Sequence, residues 1–230
     1  MHNFIISDEI KEKIKLRRDK VHPFTNLNPK KTALIVVDMQ NAFVEEGAGH
    51  AWVPSAAGTC SNINRISETI RTLGGLIFWV LNTFTNESLE SWSYFHKFLS
   101  SNENTKKRSM SMTDKSYGHK LYKDLNALDD DIYIKKTRYS AFIKGSSDID
   151  KKLRLLGIEN LLITGTATNV CCESTARDAM MLNYKTLMIS DACSANSDKD
   201  HTSSLLNFLT NFGDVRTTNE IIEILKDNYY

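Results

Sequence analysis

Apolar residues along the chain occur in two patterns, short continuous runs and longer stretches with a helical period. The continuous runs are "TALIVVD" (32–38), "GLIFWVLN" (75–82), "DIYIKK" (131–136), "ENLLITG" (159–165) and "YKTLMIS" (184–190), with "DVRTT" (214–218) as a weaker example. Continuous apolar runs of this length are typical of parallel strands that are buried on both faces. The pattern therefore predicts six strands.

Stretches with a helical period lie between these runs. In 59–73, Ile63, Ile66, Ile70 and Leu73 recur at steps of three and four, which places them on one face of a helix. Further helices are predicted at 146–157, 169–183 and 198–213, and one at 7–19 lies outside the alternating core. Alternation of strands and helices predicts an α/β fold, a parallel sheet with helices on both faces.

The length of 230 residues is typical of one large domain. We divide the chain into an N-terminal helical extension at 1–25 and a main domain at 26–230. The longest irregular stretch, 100–120, is interpreted as a mobile loop, with a lid or an oligomer contact as alternatives. It contains the basic cluster "KKR" at 106–108, which is interpreted as solvated.

Charge and composition exclude several classes of function. The formal net charge of +1 produces no global field for nucleic acid or a membrane surface. No apolar run reaches the ~18–20 residues that a membrane span requires, and the charged N-terminus is unlike a signal peptide. We therefore expect a cytoplasmic protein with reduced cysteines. The sequence lacks C-x-x-C, H-x-x-x-H, G-x-G-x-x-G and P-loop motifs. We therefore expect no metal and no nucleotide cofactor.

Side chains of chemical interest lie at the ends of three predicted strands. Asp38 closes the first strand, Lys135 and Lys136 close the third, and Cys171 and Cys172 follow the fourth. Ligands of open parallel sheets bind beyond the carboxyl ends of the strands. The carboxylate can accept the thiol proton, and a cation and a helix start lower the thiol pKa. This combination of groups suits acyl transfer from an amide. The alternatives are a turn-capping aspartate, solvated lysines and small buried cysteines.

Three segments of the chain resemble the signature segments of the isochorismatase-like cysteine hydrolases. They are "ALIVVDMQNAF", "KKTRYSAF" and "ITGTATNVCCESTARDAMMLNY", in matching order and spacing. The resemblance extends from about residue 30 to about residue 218 and is strongest to the ureidoacrylate amidohydrolase and streptothricin hydrolase branch, with weaker support from "SYFHKFL" (93–99). It implies a three-layer α/β/α fold around a six-stranded parallel sheet.

The resemblance also implies a catalytic triad, which here is Asp38, Lys136 and Cys171. Lys136 rather than Lys135 follows from its distance to the "YSAF" segment. Neighbouring residues of a strand face opposite sides, so only one of the two lysines can point into the site. Cys172, one position beyond the nucleophile, is then expected to be a packing residue.

Backbone groups and pocket residues complete the expected site. The resemblance implies a cis peptide bond between Thr166 and Ala167, and an oxyanion hole formed by the backbone N–H groups of Ala167 and Cys171. Strand ends and adjoining loops supply candidates for contacts with the substrate. These candidates are Gln40, Phe43, Asn82, Phe84, Trp92, Tyr139 and Asn169. The aromatic ones are equally compatible with the core, and Asn169 with an N-cap.

These observations predict a metal-free cysteine amidohydrolase that cleaves a C–N bond of a small amide, carbamoyl or ureido compound through a thioester. The segment "LNTFTNESLESW" lacks the histidines of the nicotinamidase metal site, and true isochorismatases lack the nucleophilic cysteine. Streptothricin-like lactam hydrolysis is one alternative, and a non-catalytic binding protein on the same fold is another. The expected partners are a small-molecule substrate and further copies of the chain, in a dimer or larger homo-oligomer, with no nucleic acid and no membrane.

Overall fold

The computed structural model describes residues 2–229, in which six parallel strands form one sheet. The strands are β1 (Thr32–Val37), β2 (Leu76–Asn82), β3 (Ile132–Lys136), β4 (Asn160–Thr166), β5 (Lys185–Ser194) and β6 (Asp214–Arg216). Their order in the sheet is β3-β2-β1-β4-β5-β6. All six predicted strands are confirmed, and β5 is longer than expected. Met1 and Tyr230, the outer ends of the two predicted segments of the chain, lie outside the described residues.

Helices connect the strands and extend the fold at both ends. They are α1 (Asp8–Arg18), α2 (Asn41–Val44), α3 (Cys60–Thr72), α4 (Asn86–Ser91), α5 (Asn102–Ser111), α6 (Ile149–Leu155), α7 (Glu173–Met181), α8 (Asp198–Asn211) and α9 (Thr218–Asp227). Short 3₁₀ turns lie at Pro29–Lys31 and Ala57–Thr59, and π turns at Phe95–Leu99 and Thr168–Cys172.

Alternate strand residues feed two hydrophobic cores, one on each face of the sheet. On one face, Ile35 and Ile163 pack with α1, α6, α7 and α8. On the other, Val36 and Leu162 pack with α3 and α9. Successive side chains of a strand point to opposite faces, which is why the apolar runs are continuous. The two cores confirm the predicted three-layer α/β/α architecture.

Apolar periodicity did not predict every helix of the structure. The prediction of an irregular stretch at 100–120 is wrong for Asn102–Ser111, which forms α5. This helix has no fully buried side chain, so its sequence carries no apolar stripe, and Ser101 caps it by accepting a hydrogen bond from the Asn104 N–H at 3.1 Å. Helices α4 and α9 were not predicted either. A capping box formed by Thr217 and Glu220 begins α9 directly after β6.

The N-terminal helix lies against the main part of the fold. Ile14 of α1 is completely buried in the core that contains α8. Nη1 of Arg18 donates to the carbonyl of Gly213 at 3.0 Å, which ties the end of α1 to the residue before β6. The helix predicted at 7–19 is therefore present and packed.

Gly165 controls how closely β1 and β4 approach beside the candidate site. Its φ is +110°, and an added Cβ would lie 2.1 Å from the carbonyl oxygen of Val37. Because this contact is with backbone, we expect Gly165→Ala to lower the free energy of unfolding by more than ~2 kcal/mol. Gly157→Ala is the control, since Gly157 has φ +67° but no atom within 4 Å of the added Cβ. Equal losses for both variants in urea unfolding would contradict the steric explanation.

Candidate active site

The candidate site lies at the carboxyl end of the sheet, where the order of the strands reverses around β1. Asp38 follows β1 with φ 54°, and its N–H donates to the carbonyl of Val80 in β2 at 2.9 Å. Lys136 is the last residue of β3, and Cys171 lies in the π turn after β4. The fold therefore brings together the three side chains that the sequence placed at separate strand ends.

Asp38 and Lys136 form a completely buried ion pair. Nζ of Lys136 donates to Oδ2 of Asp38 at 2.8 Å and to the carbonyl of Arg138 at 3.0 Å, and both charged side chains are 0% exposed. Burial opposes the ammonium charge, but the neighbouring Asp38 and Cys171 raise the pKa of Lys136 above its usual value. The lysine is therefore a permanent cation beneath the site.

Lys135 points away from this pair. Its side chain is 55% exposed, and its Nζ donates to Oδ2 of Asp114 at 2.7 Å on the surface. The opposite directions of Lys135 and Lys136 follow from the alternation of side chains along β3, as expected from the sequence. Only Lys136 shares the buried site with Asp38.

The turn that carries Cys171 differs from the α-helical turn that the sequence predicted. The helix expected at 169–183 is divided into a π turn, Thr168–Cys172, and α7. The N–H groups of Val170 and Cys172 both donate to the carbonyl of Ala167, at 3.1 and 3.2 Å. The peptide bond between Thr166 and Ala167 is cis, as the resemblance implies. Single π turns within helices are frequent at functional sites.

The Cys171 thiol is 5% exposed. Burial raises its pKa, the Asp38 carboxylate raises it further, and Lys136 lowers it. The expectation of a lowered thiol pKa is wrong for this resting site, because burial and the carboxylate outweigh the ammonium group. The thiol therefore keeps its proton at neutral pH and needs a base. Oδ1 of Asp38 is buried without a hydrogen-bond partner among residues 2–229, so it has a lone pair available for that proton.

Cys172 has the environment of a packing residue. It is 0% exposed, and its Sγ donates to the carbonyl of Thr164 at 3.7 Å. Burial and the neighbouring Cys193 raise its pKa well above the ordinary value. Both cysteines belong to the hydrophobic core on the α7 and α8 side of the sheet.

A cavity of about 170 Å³ lies over Cys171. Its lining consists of Phe43, His50, Ala51, Val53, Asn82, Arg108, Tyr139, Ala167, Val170, Cys171 and Asn196. The lining includes both residues of the expected oxyanion hole and three expected substrate contacts, Phe43, Asn82 and Tyr139. Its volume is below the ~300–1,000 Å³ typical of pockets for drug-sized ligands, which favours a small molecule.

Gln40 has a structural role instead of the expected contact with the substrate. It is 0% exposed, and its Nε2 donates to the carbonyls of Asn82 and His119 at 3.2 and 2.8 Å. Its Oε1 accepts the N–H of Asn82 at 2.8 Å. The amide is thus occupied by backbone groups, and it holds the end of β2 beside the cavity that Asn82 lines.

Three other expected contacts lie outside the cavity. Phe84 is buried in a separate cluster with Ala42 and Met112. Trp92 stacks on Phe95, with ring centroids 4.1 Å apart, and lines an outer groove that shares Tyr139 with the cavity. Asn169 is exposed on the surface of the π turn, where Ala167 takes the N-cap position instead.

Two charged or titratable residues of the cavity wall were missed by the sequence analysis. Arg108, on α5, donates from Nε to Nε2 of His50 at 3.2 Å, and its guanidinium carbon lies 4.8 Å from the centroid of the Phe95 ring. The interpretation of 106–108 as a solvated cluster is therefore wrong for Arg108. The basic residues "KKR" were the one available signal, but their order alone does not show which of them turns inward.

Residues 2–229 contain neither a candidate metal cluster nor a candidate membrane span. No group of three or more His, Cys, Asp or Glu side chains is arranged to hold a metal ion in this part of the chain. In the same part of the chain, no helix has the length and apolar character needed to cross a membrane.

Comparisons with known proteins identify relatives over most of the chain. A family model described as the isochorismatase domain matches residues 32–220. The ureidoacrylate amidohydrolase RutB of Caulobacter vibrioides is 33% identical over 205 residues, which cover 84% of this chain and 90% of the relative. RutB of Acinetobacter baylyi is 33% identical over 217 residues, covering 88% and 86%. The crystal structure of a cysteine hydrolase from Pseudomonas syringae pv. phaseolicola superposes with a TM-score of 0.75 and 27% identity, covering 89% and 96%.

Proposed function

The chain belongs to the isochorismatase domain family, and from this premise we propose that it is a cysteine-dependent amidohydrolase acting on a small amide, carbamoyl or ureido compound. The observation that carries the proposal is the convergence of Asp38, Lys136 and Cys171 in one buried cluster beneath a small cavity. The relatives named ureidoacrylate amidohydrolases support cleavage of a C–N bond. A buried thiol beside a carboxylate supports a covalent route.

In the first half of the proposed cycle, Oδ1 of Asp38 accepts the thiol proton and Sγ of Cys171 attacks the carbonyl carbon. The ammonium of Lys136 holds Asp38 in place and offsets the negative charge of the cluster. The backbone N–H groups of Ala167 and Cys171 donate to the developing oxyanion. Asp38 then gives its proton to the leaving nitrogen, the C–N bond breaks, and a thioester to Cys171 remains.

In the second half, Asp38 accepts a proton from water and the resulting hydroxide attacks the thioester. The C–S bond breaks, the acid leaves, and the proton on Asp38 returns to Cys171. The raised pKa of the Cys171 thiol agrees with a resting site in which the sulfur stays protonated until a base acts on it. In this scheme, Asp38 serves as base and acid in turn.

The proposal is tested by measuring amine and ammonia release from ureido acids, carbamates, small amides and lactams. We expect turnover of ureido, carbamoyl or amide compounds and, after a rapid acid quench, a mass increase on the peptide that contains Cys171. Turnover of lactams alone would favour the streptothricin-like alternative. No turnover of any compound, with no adduct on Cys171, would favour a binding protein on the same fold.

Activity is expected to survive extensive dialysis against EDTA. Asp38 and Cys171 supply the base and the nucleophile, so no step of the proposed cycle requires a Lewis acid. A zinc-dependent hydrolase treated in the same buffer is the control for effective chelation. Loss of activity that Zn²⁺ or Mn²⁺ restores would contradict the proposed mechanism.

Three further expectations from the sequence remain predictions. They are a cytoplasmic location, a homo-oligomer of two or more copies, and an N-terminal extension at 1–25 that is separate from the main domain. Light scattering coupled to size-exclusion chromatography tests the second. A variant that lacks 1–25 tests the third, although the buried Ile14 predicts a loss of stability on truncation.

A further inference from the structure

Arg108 brings a positive charge to the cavity that the proposed reaction does not use. Its guanidinium lies against the Phe95 ring and donates to His50. Cys171 and Asp38 both act electrostatically on it, but Asp38 is already paired with Lys136 at 2.8 Å. Within residues 2–229, no carboxylate forms a salt bridge with Arg108. The cavity therefore contains a cation whose counter-ion is not supplied by the described chain.

His50 orients this cation and adds a second donor. A guanidinium group has donors only, so Nε2 of His50 must accept the hydrogen bond from Arg108 and Nδ1 must carry the proton. Burial and the charge of Arg108 lower the pKa of His50 to about 3, so the ring is neutral. Nδ1 is buried and has no partner among the described residues. The wall that holds Arg108 thus includes an unused N–H donor.

Tyr139 lies in the same cavity wall as Arg108. Both residues line the cavity together with Cys171, and the charge of Arg108 acts electrostatically on the Tyr139 phenol. Burial raises the pKa of Tyr139, although Arg108 opposes this effect, so the phenol stays neutral beside the cation. One neutral hydrogen-bond partner, His50, and the aromatic face of Phe95 hold Arg108 in position without neutralising it. A partly buried cation in such a setting is stabilised by an anion.

We propose that Arg108 is a specificity-determining residue that binds a carboxylate of the substrate, so that the enzyme selects amide, carbamoyl or ureido compounds that are also acids. Arginine binds carboxylates through two parallel hydrogen bonds, which fixes both position and orientation. The anchored carboxylate would hold the reactive carbonyl over Cys171. This inference rests on the proposed function for the reaction, but the anion site itself can be tested without turnover.

The first test compares alkylation of Cys171 by iodoacetate and by iodoacetamide, which differ only in a carboxylate in place of an amide. Mass spectrometry of the Cys171 peptide gives the two rates. We expect the iodoacetate-to-iodoacetamide ratio to fall by ~10-fold or more in Arg108→Gln, since one charge-assisted hydrogen-bond pair is lost. The ratio should be unchanged in Lys106→Gln, an exposed position of the same helix.

The same ratio separates the proposal from its main competitor. If Arg108 only promoted ionisation of Cys171, both rates would fall in Arg108→Gln by the same factor and the ratio would not change. That outcome overturns the proposal. Arg108→Lys retains the positive charge but not the paired N–H donors of the guanidinium, so an intermediate ratio supports a carboxylate site. Thermal unfolding of both Arg108 variants shows whether loss of folding explains the result for Arg108→Gln.

The second test measures kcat/KM for 3-ureidopropionate and for 1-propylurea, which lacks the carboxylate. We expect the acid to be preferred by ~10-fold or more in the unmodified protein, and the preference to disappear in Arg108→Gln through a higher KM. Equal efficiency for both ureas before substitution overturns the proposal. If neither urea is hydrolysed, the alkylation ratio still decides the anion site, and only hydrolysis of these ureido compounds is contradicted.

Discussion

Replacing Cys171 by alanine is expected to lower kcat by at least ~10⁴-fold, as seen when a nucleophile that acts as part of a triad is removed. The physical reason is that Cys171 lines the cavity and interacts with both Asp38 and Lys136. The side chain is small and partly faces the cavity, so the fold should remain intact. Turnover of the best substrate and the circular dichroism spectrum of the variant check the two parts of this prediction.

Cys172→Ala is the matched control, because it removes a thiol one position further along the same turn. Cys172 is fully buried against the carbonyl of Thr164, so we expect most activity to remain and the free energy of unfolding to fall by ~1 kcal/mol. Limited treatment with iodoacetamide should label Cys171 before Cys172. Faster labelling of Cys172, or continued turnover by Cys171→Ala, would refute the assignment of the nucleophile.

Lys136→Ala is expected to affect both stability and catalysis. It leaves the carboxylate of Asp38 buried without its partner, which costs about 3–5 kcal/mol when one member of a buried ion pair is removed. It also removes the cation that holds the base, so we expect kcat to fall by ~10²–10³-fold, comparable to the loss of one electrostatic contact in an active site. Urea unfolding and kinetics at saturating substrate measure the two effects.

Lys135→Ala is the control for position along β3. Its surface pair with Asp114 is worth ~0–1 kcal/mol, so both stability and kcat should change little. Equal and small effects of the two substitutions would remove Lys136 from the site.

The pH dependence of stability gives a second measure of the buried pair. The pKa of Lys136 is raised above its ordinary value of 10.5 in the folded state, so protonation stabilises the fold. This contribution is fully present below the unfolded-state pKa and is lost as pH rises through the higher folded-state pKa. The stability difference between the unmodified protein and Lys136→Ala should therefore shrink at pH above about 10.5. A difference that is constant into this alkaline range would contradict the assignment of the charge.

Local patterns along the sequence determined the layers of the fold and the strand ends at which the candidate triad lies. A continuous apolar run can be a strand only if both faces are covered, and this requirement predicted the sheet and its helices. The rule for open parallel sheets placed Asp38, the two lysines and the two cysteines at one edge, and strand alternation showed that only one lysine can face the site. The resemblance to the cysteine hydrolases then selected Lys136 and Cys171. These conclusions depend on period and position, which a linear sequence contains.

Tertiary structure alone decided the cavity wall and the state of the thiol. Helix α5 carries no apolar stripe, so only its packing shows that Arg108 reaches His50 and lines the cavity. Gln40 and Asn82 were equal candidates for substrate contact, and only the hydrogen bonds of the folded chain show that one serves the backbone while the other lines the cavity. The pKa of Cys171 is raised because burial and Asp38 outweigh Lys136. Burial and electrostatic balance are sums over neighbours that are distant in sequence, so no local pattern records them.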